Sequence, residues 1–506
     1  MKINFIFIAF ALAYSIYADA QKSAFRTRVD NIDHGFGTNY DDFVRGVNRT
    51  YETFRDSVNA MYADFMRQAW GSVPVQPGKP KPKDTPVPPV KYDEKKDQME
   101  DKEQPVIVEP VDTAVTPQPV PVAPIYENDE AKDYTSITVF GTSMRVRMAD
   151  LPSFKLGQGK EKAFAEAFTC LTDKRYNNLI RDCLSNRIQY SLCDWAYYKM
   201  LQAIADKACG EGTDEATFVL GVMLNQSGYA VRFAYDADTQ ALCLLVKTSS
   251  HLYEKALAVV GEDTFYSLEP IKATVLHVCD VVYPGEKSFS LDISQIPKFA
   301  DSNTESRKII GASFSMNVTS TVNMNLIDFF DTYPASYSDG NFMTKWAYYA
   351  NTPVCKEVKE QLYPQLKTLI ATADKKTAAN MLLNWVQTGL KYEYDDVVWG
   401  HERSFFAEES LYYPFCDCED RSILYSHLVR DLLDLDVVLV YYPNHLATAV
   451  CFPNETKGDH LTVDGRTFVI ADATYIGAPV GRTMPGMDNA VAKVFLLRKT
   501  NGSHIN

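Results

Sequence analysis

One stretch restricts the folding options of this chain more than any other. The polar turn Phe415-Cys416-Asp417-Cys418 runs straight into an apolar stripe at helical spacing: Leu424, Leu428 and Leu432, flanked by Tyr425, Val429 and Leu433. A helix with such a stripe must bury it against another layer. Glu419 and Asp420 fall in its first turn, where acidic side chains suit the positive end of the helix dipole. Two strand-like runs come next, Asp436 to Tyr442 and His445 to Phe452, and a third, Thr467 to Ile470, leads into Ala471-Asp472. A helical stretch followed by short β-rich runs reads as an α+β fold.

Three chemically capable residues sit at the ends of these elements. They run in the order Cys418, His445, Asp472, with gaps of 27 (445 − 418) and 27 (472 − 445). A thiol at a helix start has its pKa lowered, so more of it is thiolate, the nucleophilic form. The order and setting resemble the transglutaminase-like (papain-related) cysteine acyl-transferase superfamily, in its bacterial exported type. That family has Cys at a helix start, usually as Gly-x-Cys-x-Asp, its His at the start of one following strand and its Asp on the next. Cys418-Glu419-Asp420, His445 and Asp472 match this pattern. Upstream, Asn384-Trp385-Val386-Gln387 and Lys391-Tyr392-Glu393-Tyr394 look like the family's approach to the nucleophile. The resemblance covers about residues 380–480 and departs at one position, where Cys416 stands in place of the usual glycine.

The resemblance implies acyl transfer from a peptide or glutamine amide. Cys418 would attack the carbonyl. His445 would hold the thiol proton and return it to the leaving amine, and Asp472 would fix the imidazole tautomer. The backbone N–H of Cys418 is the natural oxyanion donor. A side-chain donor must come from upstream, and Gln387, Tyr392 and Trp399 are all candidates. Cys416 is the rival nucleophile, but it lies before the helix and out of register with Asp420. His427 is the rival base, about 13 Å along the same helix and turned the other way. Asp420 itself reads as a helix-start residue. The implied partner is a protein or peptide substrate. The alternative is a non-catalytic protein- or glycan-binding scaffold on the same fold.

Composition sets outer bounds. With 506 residues the chain has room for two or three domains. Lys+Arg is 51 against 65 Asp+Glu, a net charge of -14, which argues against a nucleic-acid partner. The ten cysteines show neither zinc-ligand nor disulfide-framework spacing. Cys243 and Cys451, in apolar runs, read as small core hydrophobes. No cofactor and no metal is indicated, and there is no calcium motif.

The N-terminal third divides by composition. Lys2, an apolar run from Ile3 to Ile16 and then Ala18-Asp19-Ala20 read as a signal peptide over 1–20, with Gln21 as the mature start. The run is too short to span a bilayer, so the expectation is export to a periplasm or beyond the cell, with no transmembrane segment after cleavage. Within a helical arm at 21–71, Phe43, Val47, Phe54, Val58, Met61 and Phe65 recur at helical spacing. That face suits either a partner or the protein's own body. Residues 72–132, with proline-rich pieces around a charged one, predict a disordered, partly polyproline linker.

An internal repeat completes the reading. Gly212 to Leu220 aligns with Cys418 to Ser426 at an offset of 206 (418 − 212), and Thr264 to Glu269 with Thr467 to Asp472 at 203 (467 − 264). The expected architecture is two tandem transglutaminase-like (papain-like) domains, 133–313 and 314–506. In the first, Gly212, Gln240 and Glu269 replace the catalytic set, so it is degenerate. The second carries an aromatic-rich insertion between Trp385 and Cys418, suited to an acyl-donor cleft or to packing.

Overall fold

The structure, a computed structural model, describes residues 55–82, 86–95, 103, 106–109, 133–148, 151, 154–157, 160–338, 341, 343–487 and 492–497. Within them the chain mixes helices with two six-stranded sheets, as an α+β fold should. Strands β1 (Gly71–Pro74) and β2 (Val106–Glu109) come from the proline-rich segment. Strands β3 (Val231–Asp236), β4 (Leu242–Lys247), β5 (Leu257–Val260), β6 (Asp263–Ser267) and β7 (Val275–Val278) complete the first sheet. Strands β8 (Asp436–Tyr442), β9 (His445–Cys451), β10 (His460–Val463), β11 (Arg466–Ala471) and β12 (Ala492–Leu496) complete the second. The orders are β1-β7-β3-β4-β6-β5 and β2-β12-β8-β9-β11-β10. Both follow one circuit: a strand from the proline-rich segment, then the last, first, second, fourth and third strands of the set. Pairing is antiparallel throughout except for β2 on β12.

Among the helices are α1 (55–66), α2 (Asp194–Cys209), α3 (Asp214–Gln226), α4 (Thr344–Asn351), α5 (Lys375–Gly389), α6 (Ala407–Tyr412) and α7 (Cys418–Leu433). Helix α3 enters β3 as α7 enters β8. At Gly221 of α3 a Cβ would lie 2.5 Å from Phe233 Cε1, so the missing side chain lets the helix settle close on its sheet. Helix α7 is buried more completely than its stripe requires. Leu424, Tyr425, Leu428 and Val429 are buried, and so are Arg421, Ser422 and Ser426 on its polar side. Apart from Arg421 Nε, these polar groups find partners inside the protein. Ser422 Oγ donates to Leu446 O at 2.8 Å, and Arg421 donates to Gln387 O at 3.2 Å and Leu390 O at 2.7 Å. Most of the helix is thus buried, with the Arg421 charge spent on main-chain carbonyls of α5 and the turn after it.

One sequence expectation needs correcting, that the proline-rich segment is wholly disordered. Parts of the 72–132 segment are ordered. β1 pairs with β7, the Val75 amide donates to Thr274 O at 2.9 Å, and Tyr92 N donates to Ile476 O at 3.0 Å. Both strands from the segment lie at sheet edges, where only alternate main-chain groups pair, so proline beside them costs little. Val87, Val90 and Tyr92 also pack on the apolar face of the second sheet. The described part of the N-terminal arm is used internally as well: Val58, Tyr62, Ala63 and Met66 are buried, and Trp70 stacks on Phe164 at 5.0 Å. The signal-peptide reading falls on residues outside those described. No described helix is long and apolar enough to cross a membrane.

Candidate active site

The start of α7 is held by its own acidic turn. Asp420 Oδ2 accepts the Asp417 amide at 3.2 Å, and its Oδ1 accepts the Phe405 amide at 2.8 Å. Cys418 is the first helical residue and is buried. Its thiol donates to Glu419 Oε2 at 3.2 Å and lies against the backbone N–H of Leu446. Burial, then Glu419 and Asp417, push this thiol well above the ordinary range. That reverses the expectation of a lowered pKa. A helix N-terminus contributes about 0.3–1 kcal/mol to an anion at an exposed position, which does not offset removing a thiolate from water beside two carboxyl groups.

His445 opens β9, and Asp472 stands one residue past β11. Their side chains are almost fully buried, and His445 Nε2 is 2.8 Å from Asp472 Oδ2. The other carboxylate oxygen accepts the amides of Thr474 at 2.8 Å and Tyr475 at 3.2 Å, which fixes its orientation. His445 Nδ1 is buried with no hydrogen-bond partner. The structure therefore brings His445 and Asp472 together and sets Cys418 beside Leu446, the next residue on β9. It does not join thiol to imidazole by a hydrogen bond. Strand alternation accounts for this: Leu446 shares an apolar cluster with Cys418 and Ile423, whereas the neighbouring His445 ring stacks by Tyr442.

The upstream residues separate cleanly. Gln387 is committed. Its amide nitrogen donates to Asp472 O at 2.9 Å, Tyr475 O at 2.8 Å and Ala478 O at 3.1 Å, while its oxygen accepts Gly477 N at 3.0 Å. It positions the loop that carries Asp472 and is not free to hold an oxyanion. Trp399 packs edge-on against Tyr413 at 4.8 Å, beneath the Arg403 guanidinium. Tyr392 is different: its hydroxyl is buried without a partner. Burial, then Cys418, Asp417 and Glu419, raise its pKa, which places it in the field of the α7 start. A short parallel pairing, Tyr392 with Cys416, holds it there. The aromatic insertion otherwise packs, with Phe405 and Phe406 buried. Cys416 donates to Lys391 O at 3.7 Å, and burial pushes its thiol up to about 11.

Sequence reasoning missed the group of carboxyls around Cys418. Asp395, Asp417, Glu419 and Asp420 are buried, and Glu402 is half-buried. Burial and then Glu419 push Asp395 up to about 8 and Glu402 up to about 9. Glu419 goes the other way. Burial pushes it up, but hydrogen bonding with Asp417, the Lys345 ammonium and hydrogen bonding with Glu402 outweigh that and lower it. The one available signal was the density of acids in 417–420, which looked like helix-start chemistry.

Among the described residues, the aligned positions of the first sheet hold no equivalent pair. Gly212 does not open a helix. It has φ +71, two residues before α3, whose cap is Thr213 accepting Ala216 N at 3.1 Å. Asp214 opens the helix and accepts the Leu242 amide at 2.9 Å. Cys418 lies against Leu446 in the same way, and both pairs are offset by 204 (418 − 214 and 446 − 242). Gln240 donates to Ala237 O within its own turn. Glu269 accepts from Tyr198 and Gln202 of α2.

Compared with protein-family models, curated proteins and solved structures, the chain matches none.

Proposed function

We propose that the chain is an exported, transglutaminase-like cysteine enzyme that acts on peptide or glutamine amides through Cys418, His445 and Asp472. On this reading residues 133–313 and 314–506 are tandem copies of one domain, the first degenerate. The observation that carries it is the 2.8 Å pair of His445 Nε2 and Asp472 Oδ2. Two buried residues from adjacent strands form the orienting half of a triad and leave Nδ1 without a partner, next to the strand residue that touches Cys418. In the reaction the thiol turns from Glu419 toward Nδ1 and gives it the proton. Sulfur attacks the amide carbonyl, and the amine leaves with that proton. Water or an amine then opens the thioester. The Cys418 amide and the Tyr392 hydroxyl are the oxyanion donors.

The experiment is mass spectrometry of the acylated protein after exposure to an activated acyl donor. The expected result is one acyl group on Cys418, absent in Cys418→Ala and strongly reduced in His445→Ala. Acylation spread over several cysteines, or unchanged in His445→Ala, would remove the enzyme reading. One observation favours a non-catalytic scaffold: the thiol is buried and turned to Glu419. In that case Cys418 takes no acyl group from any donor.

A further inference from the structure

We infer that Lys345 and Glu402 join in a self-made isopeptide cross-link, an amide between the lysine Nζ and the glutamate side-chain carboxyl. Lys345 is the second residue of α4, and Glu402 lies in the loop before α6, 57 residues further on. Nζ stands 3.0 Å from Glu402 Oε1, and the two side chains are only 6% and 10% exposed. Both partners are held where they meet. The Glu402 carbonyl accepts Lys81 Nζ at 3.4 Å, and the next amide, that of Arg403, donates to Asp395 Oδ2 at 2.6 Å. The Lys345 ammonium lies over the Trp346 ring at 4.7 Å. Groups fixed in this way react as if present at about 10⁵–10⁸ M.

A buried lysine beside a glutamate is by itself only an ion pair, and an ion pair needs one carboxylate. Here a third group completes a reaction set. Side-chain oxygens of Glu402 and Glu419 lie within 4.8 Å of one another, and the Lys345 ammonium acts on both. The two acids are in opposite states. Burial and then Glu419 push Glu402 up to about 9, so it is a neutral acid at neutral pH. Burial pushes Glu419 up as well, but hydrogen bonding with Asp417 and the Lys345 charge outweigh that and keep it ionised. An amine, a neutral carboxyl that an amine attacks and a carboxylate that takes protons therefore share one dry space. Glu419 takes a proton from the ammonium. The free amine attacks the Glu402 carboxyl carbon, the C–OH bond breaks, and the hydroxyl leaves with a second amine proton as water. One amide, one water and a protonated Glu419 result. The buried ammonium and the buried carboxylate, both costly to keep ionised, are gone. Lys345 and Glu402 line a cavity of about 100 Å³, which gives the water its way out. Cys418 takes no part, so the cross-link stands whether or not that thiol forms an acyl-enzyme.

The test is intact-mass measurement of the purified, unfolded full chain, followed by peptide mapping. The expected wild type is lighter by one water than its sequence counted from the measured N-terminus, and its digest holds one branched peptide joining the segments around Lys345 and Glu402. Lys345→Met and Glu419→Gln should each keep the full sequence mass, while Cys418→Ala should still lack one water. A wild type that holds its full sequence mass after days folded at neutral pH would overturn the cross-link and leave an ion pair, whatever the variants do. A missing water that maps to other residues, persists in Lys345→Met or returns in Cys418→Ala would overturn it as well.

Discussion

At the residue scale, the contacts of Asp472 and His427 lead to distinct expectations. Asp472 offers one oxygen to His445 and the other to two backbone amides. Asp472→Asn keeps the shape but loses the charge that fixes the tautomer. Acylation of Cys418 should fall by two to four orders of magnitude, with little change in the far-ultraviolet spectrum. An unchanged rate would show that the pair only packs. His427 reports on stability. Burial, then the Arg430 guanidinium, pushes it down to about 3. The unfolded imidazole takes up a proton near pH 6.5, while the folded one stays neutral. Its contribution is therefore fully present above pH 6.5 and is lost as pH falls from there toward 3. Urea midpoints of the wild type should decline over that window more steeply than those of His427→Leu, and parallel curves would refute the assignment.

At the scale of elements, the loop after β11 is held by one side chain from α5. Gln387 spans Asp472 to Ala478 through both ends of its amide. Gln387→Ala leaves several buried carbonyls without donors and should cost about 1–3 kcal/mol. Amide exchange should then rise at Thr474 to Ala478 before the rest of the domain. Uniform loosening would argue against a local clamp. The proline-rich strap makes a second prediction. The amides of Val75, Gln76, Val87 and Tyr92 each donate to a backbone carbonyl on one of the two sheets or the turns beside them. They should exchange far more slowly than an unfolded chain. Exchange at free-chain rates would restore the spacer that composition alone suggests.

At the scale of the whole molecule, two sheets with one strand order are tied together by a single N-terminal strap that supplies an edge strand to each. The α7 helix and strands β8, β9 and β11 were legible from local patterns, whereas β10 was not. A stripe at 3.6-residue spacing and short β-branched runs carry their own periodicity, and the order of Cys418, His445 and Asp472 follows from the chain alone. The pairing of His445 with Asp472 was implied only by the family resemblance, because nothing in the local pattern joins two residues 27 apart (472 − 445). Tertiary structure decided the rest. Whether Gln387 was a donor or a clamp depended on a loop 85 residues away (472 − 387). The strap could not be read because an edge strand needs a neighbour's free edge and leaves no periodicity of its own. The state of the Cys418 thiol was decided first by burial, which the sequence does not show, and then by Glu419 and Asp417 beside it. Sequence determined which elements form and in what order. Only the packed structure decided which buried charges share one space, because desolvation and Coulomb interaction depend on distance through the fold, not along the chain.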